Sequence, residues 1–179
     1  FLAGEGAQYY NGYINGKAIQ QPVKDSLFKL APGATFGPYL DANKDVIARM
    51  VGSVRMPDTV NARHILISTQ SRDSATAYNL CDSIQKAIAG GSNFDSLTAK
   101  FSDDPGSKNT GGKYENVSSG QMVAPFNDFI FLKPTGAKGI VKTDFGFHYI
   151  EILSQKGSGS GYKIAYLPQE IVASQETDN

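Results

Sequence analysis

The sequence is poor in the residues on which most enzyme chemistry is built: 179 positions hold one cysteine, two histidines and no tryptophan. A lone Cys81 excludes an internal disulfide, and its place in an apolar helical stripe reads as a small buried thiol. Two histidines and one cysteine are too few for a His/Cys metal cluster, and no His-Glu-x-x-His, Cys-x-x-Cys or Gly-Lys-Ser/Thr pattern occurs. Metal and nucleotide chemistry therefore drop out. No Gly-x-Ser-x-Gly elbow is present, which leaves a serine hydrolase unsupported.

An excess of one charge is missing as well. Seventeen basic and seventeen acidic side chains cancel, so no long-range field draws nucleic acid or anionic lipid. No run approaches the roughly 18 apolar residues of a membrane span, and the piece reads as soluble. The chain opens on Phe1 rather than Met and shows no signal peptide, so it reads as an excised fragment or processed product, with any anchor of its parent out of view.

What is present is ordinary globular material, 40% apolar with ten Phe and nine Tyr. VNARHILI at 60–67 reads as a strand, with Ala62, His64 and Leu66 on one face and Arg63, Ile65 and Ile67 on the other. Ala77, Leu80, Cys81, Ile84 and Ile88 then mark an amphipathic helix, capped at Asp73 or Ser74 and stopped at Gly90-Gly91. A shorter stripe at Phe94, Leu97 and Phe101 follows a cap at Ser92 or Asn93.

Next comes FSDDPGSKNTGGKYENVSSGQM at 101–122, a polar loop of a length that is usually functional. After it, 122–131 reads as a short helix, and GIVK at 139–142 and FHYIEIL at 147–153 read as strands joined by the turn Thr143–Gly146. The order β, α, α, loop, α, β, β implies an α+β domain over 59–154, with a largely antiparallel sheet and helices mostly on one face.

Residues 22–52 repeat the pattern of 125–153: Pro22/Pro125, Asp25/Asp128 and Phe28/Phe131 recur in register. Residues 1–58 therefore read as the C-terminal half of a preceding related unit, degenerate because no histidine occupies its strand, or as a docking segment whose incomplete sheet invites self-association. The KGSGSG that opens 155–179 has the composition of a flexible linker, and YKIAYL after it begins a following unit. SQETDN reads as a helix start.

Both histidines lie on strands. Taken alone, each reads more often as a satisfied core or edge residue than as a catalytic one. Met122 and Phe126, four apart on a short helix, are an ordinary core pair, and Asp104 before Pro105 caps a turn in many proteins.

In combination and in this order, ARHILI, FDSLTAKFSDDPGSKNTGG, GQMVAPFNDFIF and TDFGFHYIEI resemble the parvulin-type peptidyl-prolyl cis/trans isomerases, closest to envelope folding factors of the SurA and PpiD kind. The resemblance implies a parvulin/FKBP-like, mainly antiparallel four-stranded sheet with helices packed around it, preceded by a partial related unit. It implies a catalytic set of His64, His148, Asp104 and Thr143, and a proline pocket at Met122 and Phe126.

Three departures stand out. GGKYE replaces the GGDLG usual after the loop and puts Lys113 and Tyr114 at one pocket wall; Phe145 stands where a small or polar residue can occur; and no basic phosphate-binding loop follows the first strand. The last argues against phospho-Ser/Thr-Pro specificity, which needs clustered Arg or Lys. The implied partners are unfolded or partly folded proline-containing polypeptides, exported or outer-membrane proteins, on the periplasmic side of a bacterial envelope. No cofactor, metal or nucleic acid is implied. A non-catalytic chaperone module is the alternative.

Overall fold

The computed structural model describes residues 10–19 and 21–170. In chain order the elements are β1 (Ile14–Asn15), α1 (Lys24–Leu27), β2 (Thr35–Asp41), β3 (Lys44–Met56), β4 (Thr59–Ser68), α2 (Ser74–Ala89), α3 (Phe94–Phe101), β5 (Lys113–Ser118), α4 (Ala124–Leu132), β6 (Lys138–Thr143), β7 (Gly146–Lys156) and β8 (Gly159–Glu170). Two four-stranded sheets result, of order β1-β8-β3-β2 and β5-β4-β7-β6, with every pairing antiparallel.

The central strands of both sheets form one continuous ribbon. Met56 faces Gly159 in the first sheet, and three residues on Thr59 faces Lys156 in the second. The Asp58 amide bonds to the Lys156 carbonyl at 2.8 Å, so the ladder holds across the bend.

The second sheet has the α+β layout that the pattern implies, with α2 capped by the Asp73 carboxylate on the Thr76 amide and α3 by Asn93 on the Ser96 amide. Its helices cover both faces, which corrects the expectation of helices mostly on one. Ile65, Ile67 and Tyr149 pack with Ala77, Cys81, Ile84 and Phe94 of α2 and α3, while Ala62, Ile150 and Ile152 pack with Phe126, Ile130 and Phe131 of α4. Strands β4 and β7 are central, so both of their faces are apolar and each needs a cover. Burial pushes the Cys81 thiol up to about 12.

Two further expectations are corrected. Part of the loop at 101–122 is strand β5, paired with β4 along Thr59–Arg63; its one buried side chain is Val117, and polar residues around it give an edge strand the composition of a loop. The linker expected from residue 155 is β7 running on to Lys156, a two-residue bend, and β8. Strand β8 matches β3 from Met56 to Lys44 and buries Ile164 against Met50 and Ala48. It completes, from within the chain, the sheet that the earlier residues begin. The expected helix start at SQETDN lies outside the described residues.

Both members of the sequence repeat fold as a helix followed by an antiparallel hairpin, α1-β2-β3 and α4-β6-β7. Within the first sheet β8 holds the position beside β3 that β4 holds beside β7.

Candidate active site

The site is assembled on the α4 face of β4 and β7. His64 lies opposite Ile150, and His148 opposite Leu66, so the two imidazoles are diagonal neighbours on one sheet face. Both are fully buried. Their rings are nearly parallel, 14° apart, with centroids 5.2 Å apart, and Nδ1 faces Nδ1 at 3.0 Å.

The loop after α3 brings Asp104 to the outer side of this pair. The Asp103 amide bonds to the Leu66 carbonyl at 2.8 Å, so the loop runs beside β4 before turning. Asp104 then sets Oδ2 2.9 Å from His64 Nε2. Returning, the chain passes Gly112, whose carbonyl takes the His64 amide at 2.9 Å. Gly112 has φ +75, and a Cβ there would lie 2.1 Å from the His64 carbonyl oxygen, so only glycine permits that approach. This accounts for the length of the polar segment: it carries a carboxylate to His64 and lays the returning strand against β4.

Thr143 closes the far end. It stands opposite Gly146 where β6 turns into β7, with Oγ1 2.7 Å from His148 Nε2 and accepting the Phe145 amide at 3.2 Å.

Burial, the largest influence on both rings, pushes the His64 and His148 pKa values below the ordinary histidine range; for His64 it outweighs the pull of Asp104. Burial alone would raise Asp104, but hydrogen bonds from His64, Ser107 and Tyr114 hold it well below the usual carboxylate range. With two neutral imidazoles and one carboxylate the proton positions have a single solution. His64 Nε2–H donates to Asp104, His148 Nδ1–H donates to His64 Nδ1, and the Thr143 hydroxyl donates to His148 Nε2. The result is a directional line of donors ending on a buried negative charge.

The Phe126 ring stands nearly perpendicular to both imidazoles, its centroid 5.2 Å from that of His64 and 5.5 Å from that of His148. Met122 and Phe126 are 2% and 0% exposed, so the apolar pair is covered. Met122 lies just before α4, outside the helix expected from residue 122, while Phe126 lies within it. The segment before β1 runs alongside both, with the Tyr10 hydroxyl donating to the Met122 carbonyl, the Tyr13 amide to Asp128, and the Asn127 side-chain amide to the Tyr13 carbonyl. Phe145 sits at the β6–β7 turn and is 37% exposed, at the rim of the site.

The six residues His64, Asp104, Met122, Phe126, Thr143 and His148 thus lie in one contiguous region, while Tyr114 reaches it through Asp104. Ser107 is absent from the sequence-level set. Its hydroxyl donates to Asp104 Oδ2 at 2.5 Å, and its signal in the sequence is the Asp-Pro-Gly-Ser turn, which sets a hydroxyl three residues after the carboxylate. Arg72, the one basic residue in the turn after β4, is tied to Asp103 at 2.7 Å.

Residues 46–156 match the PPIC-type PPIASE domain. The chain belongs to this family. Among relatives of the PPIC-type domain, it is 27% identical over 155 residues to Chaperone SurA of Pseudomonas fluorescens, covering 83% of this chain and 36% of that protein. Against the Parvulin-like PPIase of Rickettsia typhi it is 26% identical over 152 residues, covering 79% and 51%. The solution structure of TbPIN1 aligns with a TM-score of 0.50 at 28% identity, covering 54% of this chain and 98% of that one. The chain therefore spans about a third of the SurA relative and half of the Rickettsia protein. The PPIC-type match takes in β4 to β7 whole and extends back into β3.

Proposed function

We propose that residues 59–154 catalyse cis/trans isomerisation of Xaa-Pro bonds in unfolded or partly folded polypeptides. His64, His148, Asp104 and Thr143 form the polar wall, Met122 and Phe126 the proline pocket, and Phe145 the rim. The observation that carries this reading is the Asp104–His64–His148–Thr143 line, fully directional and bordered by the Phe126 ring.

An Xaa-Pro bond resists rotation by about 18–20 kcal/mol because twisting the amide forfeits its resonance. Removing about 7 kcal/mol of that barrier gives roughly a 10⁵-fold acceleration. No bond is made or broken, so the site needs no nucleophile. It needs a fixed grip on the pyrrolidine ring and polar groups that fit the twisted amide better than the planar forms. A rigid hydrogen-bonded line meets the second requirement because it does not reorganise as the amide turns.

The burial of Met122 and Phe126 couples client access to displacement of the groups packed over α4. It also supports the second reading, a chaperone module that holds unfolded chains without turnover. The likeness to a protein named Chaperone SurA supports polypeptide clients, and by the resemblance to envelope folding factors these are exported or outer-membrane polypeptides met on the periplasmic side of a bacterial envelope. Arg72 is committed to Asp103, which weighs against a phosphorylated client. On this reading residues 1–58 are the C-terminal half of a preceding degenerate unit or a docking segment.

Isomerisation of a proline peptide, followed with wild type, His64→Ala and Met122→Ala, tests the first reading against the second. Turnover lost in both variants supports catalysis at this site. Client holding with no turnover in wild type supports the chaperone.

A further inference from the structure

Tyr114, placed by the resemblance at a pocket wall, lies beside Asp104. Its hydroxyl points to Asp104 and donates to Oδ2 at 2.7 Å. That one oxygen also receives the Ser107 hydroxyl at 2.5 Å and His64 Nε2–H at 2.9 Å, while Oδ1 receives the Gly106 amide at 3.0 Å. Asp104 is 1% exposed, so these protein donors replace the water an ionised carboxylate would otherwise hold.

The direction of the whole line depends on that charge. A neutral Asp104 could donate its own proton to His64 Nε2; His64 would then donate from Nδ1 to His148, and His148 from Nε2 to Thr143. The reversed line holds one proton more, taken up from solvent by Asp104, and has as many hydrogen bonds as the forward one, so the geometry of the imidazoles does not choose between them. What chooses is the number of donors on Asp104, because an oxygen that accepts two hydroxyls is poorly placed to carry a proton itself.

We infer that Tyr114, together with Ser107, is a positioning residue that keeps Asp104 an acceptor and thereby fixes the tautomers of His64 and His148. Tyr114 stands in the GGKYE segment that returns from the loop to β4, which is how its hydroxyl comes to face Asp104. The inference rests on the isomerase reading for its consequence, and on the hydrogen-bond geometry for its cause.

The test is ring-nitrogen NMR of the full chain labelled with ¹⁵N at histidine, combined with peptide isomerisation kinetics, for wild type, Tyr114→Phe, Ser107→Ala and the double variant. Tyr114→Phe keeps the ring and its packing and removes only the donor. Wild type is expected to carry its protons on His64 Nε2 and His148 Nδ1. The double variant is expected to show mixed or inverted tautomers, and kcat about tenfold lower with KM within about twofold. A double variant with wild-type tautomers and wild-type kcat would overturn the inference. So would an effect confined to KM, which would return Tyr114 to the pocket wall. Forward tautomers in wild type, inverted in the double variant, with no turnover in either, would overturn the isomerase reading and leave the hold on Asp104 standing.

Discussion

At the scale of single residues, two imidazoles are the unusual investment, since they are fully buried and neutral beside a buried carboxylate. Both histidines titrate in the folded chain below their ordinary value, so between about pH 7.5 and 5.5 the unfolded chain takes up protons that the folded chain does not. Stability rises with pH wherever the unfolded state binds more protons, so this contribution is complete above the histidine range and is lost as pH falls through it. Each histidine that stays neutral should cost up to about 1.4 kcal/mol over those two units. Denaturant melts at the two pH values check this, and a His64→Gln/His148→Gln variant should show a flatter dependence. The depressed Asp104 adds a loss in the same direction at lower pH, as the pH drops below the ordinary carboxylate range. His64, His148 and Asp104 were legible in the sequence through their motifs. Ser107 and the direction of the Tyr114 hydroxyl were not, because both depend on how a turn closes, which no periodicity reports.

At the scale of elements, β4, α2, α3, β6 and β7 were readable because each carries an apolar period of its own. Strand β5 was not, since an edge strand with a single buried Val117 looks like the polar loop around it. The packing of residues 10–15 on α4 was hidden for a different reason: it is made by Asn127 and Asp128, polar side chains whose partners lie more than a hundred positions away. Asn127 is fully buried, donates to the Tyr13 carbonyl and accepts the Gly120 amide. Asn127→Ala should therefore strand two backbone groups and cost about 2–4 kcal/mol, read by thermal or chemical melts. If access to Met122 and Phe126 is limited by this cover, the same variant should gain kcat/KM on a short peptide while it loses stability. A stability loss with no gain would place the limit elsewhere.

At the scale of the whole molecule, the bent ribbon of β3/β8 and β4/β7 makes the two sheets one continuous ladder. The first sheet is completed by a strand more than a hundred residues away from β3 in sequence, which explains why KGSGSG misleads: glycine and serine suit a flexible connector, yet here they begin a strand held by a full partner. Gly161 opposite Val54 is such a case, because a Cβ there would run into the Met56 sulfur. Ile164, 3% exposed against Met50 and Ala48, is the test point. Ile164→Ala should cost about 2–5 kcal/mol and lower amide-exchange protection of β3 and β8 together. Loss confined to β8, with β3 unaffected, would mean that the two strands do not form one cooperative unit.

The central claim is that the imidazole line beside Phe126 lowers the barrier to proline rotation. Exchange NMR on a short Xaa-Pro peptide, with the full chain added in catalytic amounts, measures that rotation directly and needs no coupled protease. The account predicts faster cis/trans exchange with wild type, and about a hundredfold weaker enhancement with His64→Ala and with Met122→Ala. Exchange no faster than in buffer, or equal enhancement by all three proteins, would contradict it.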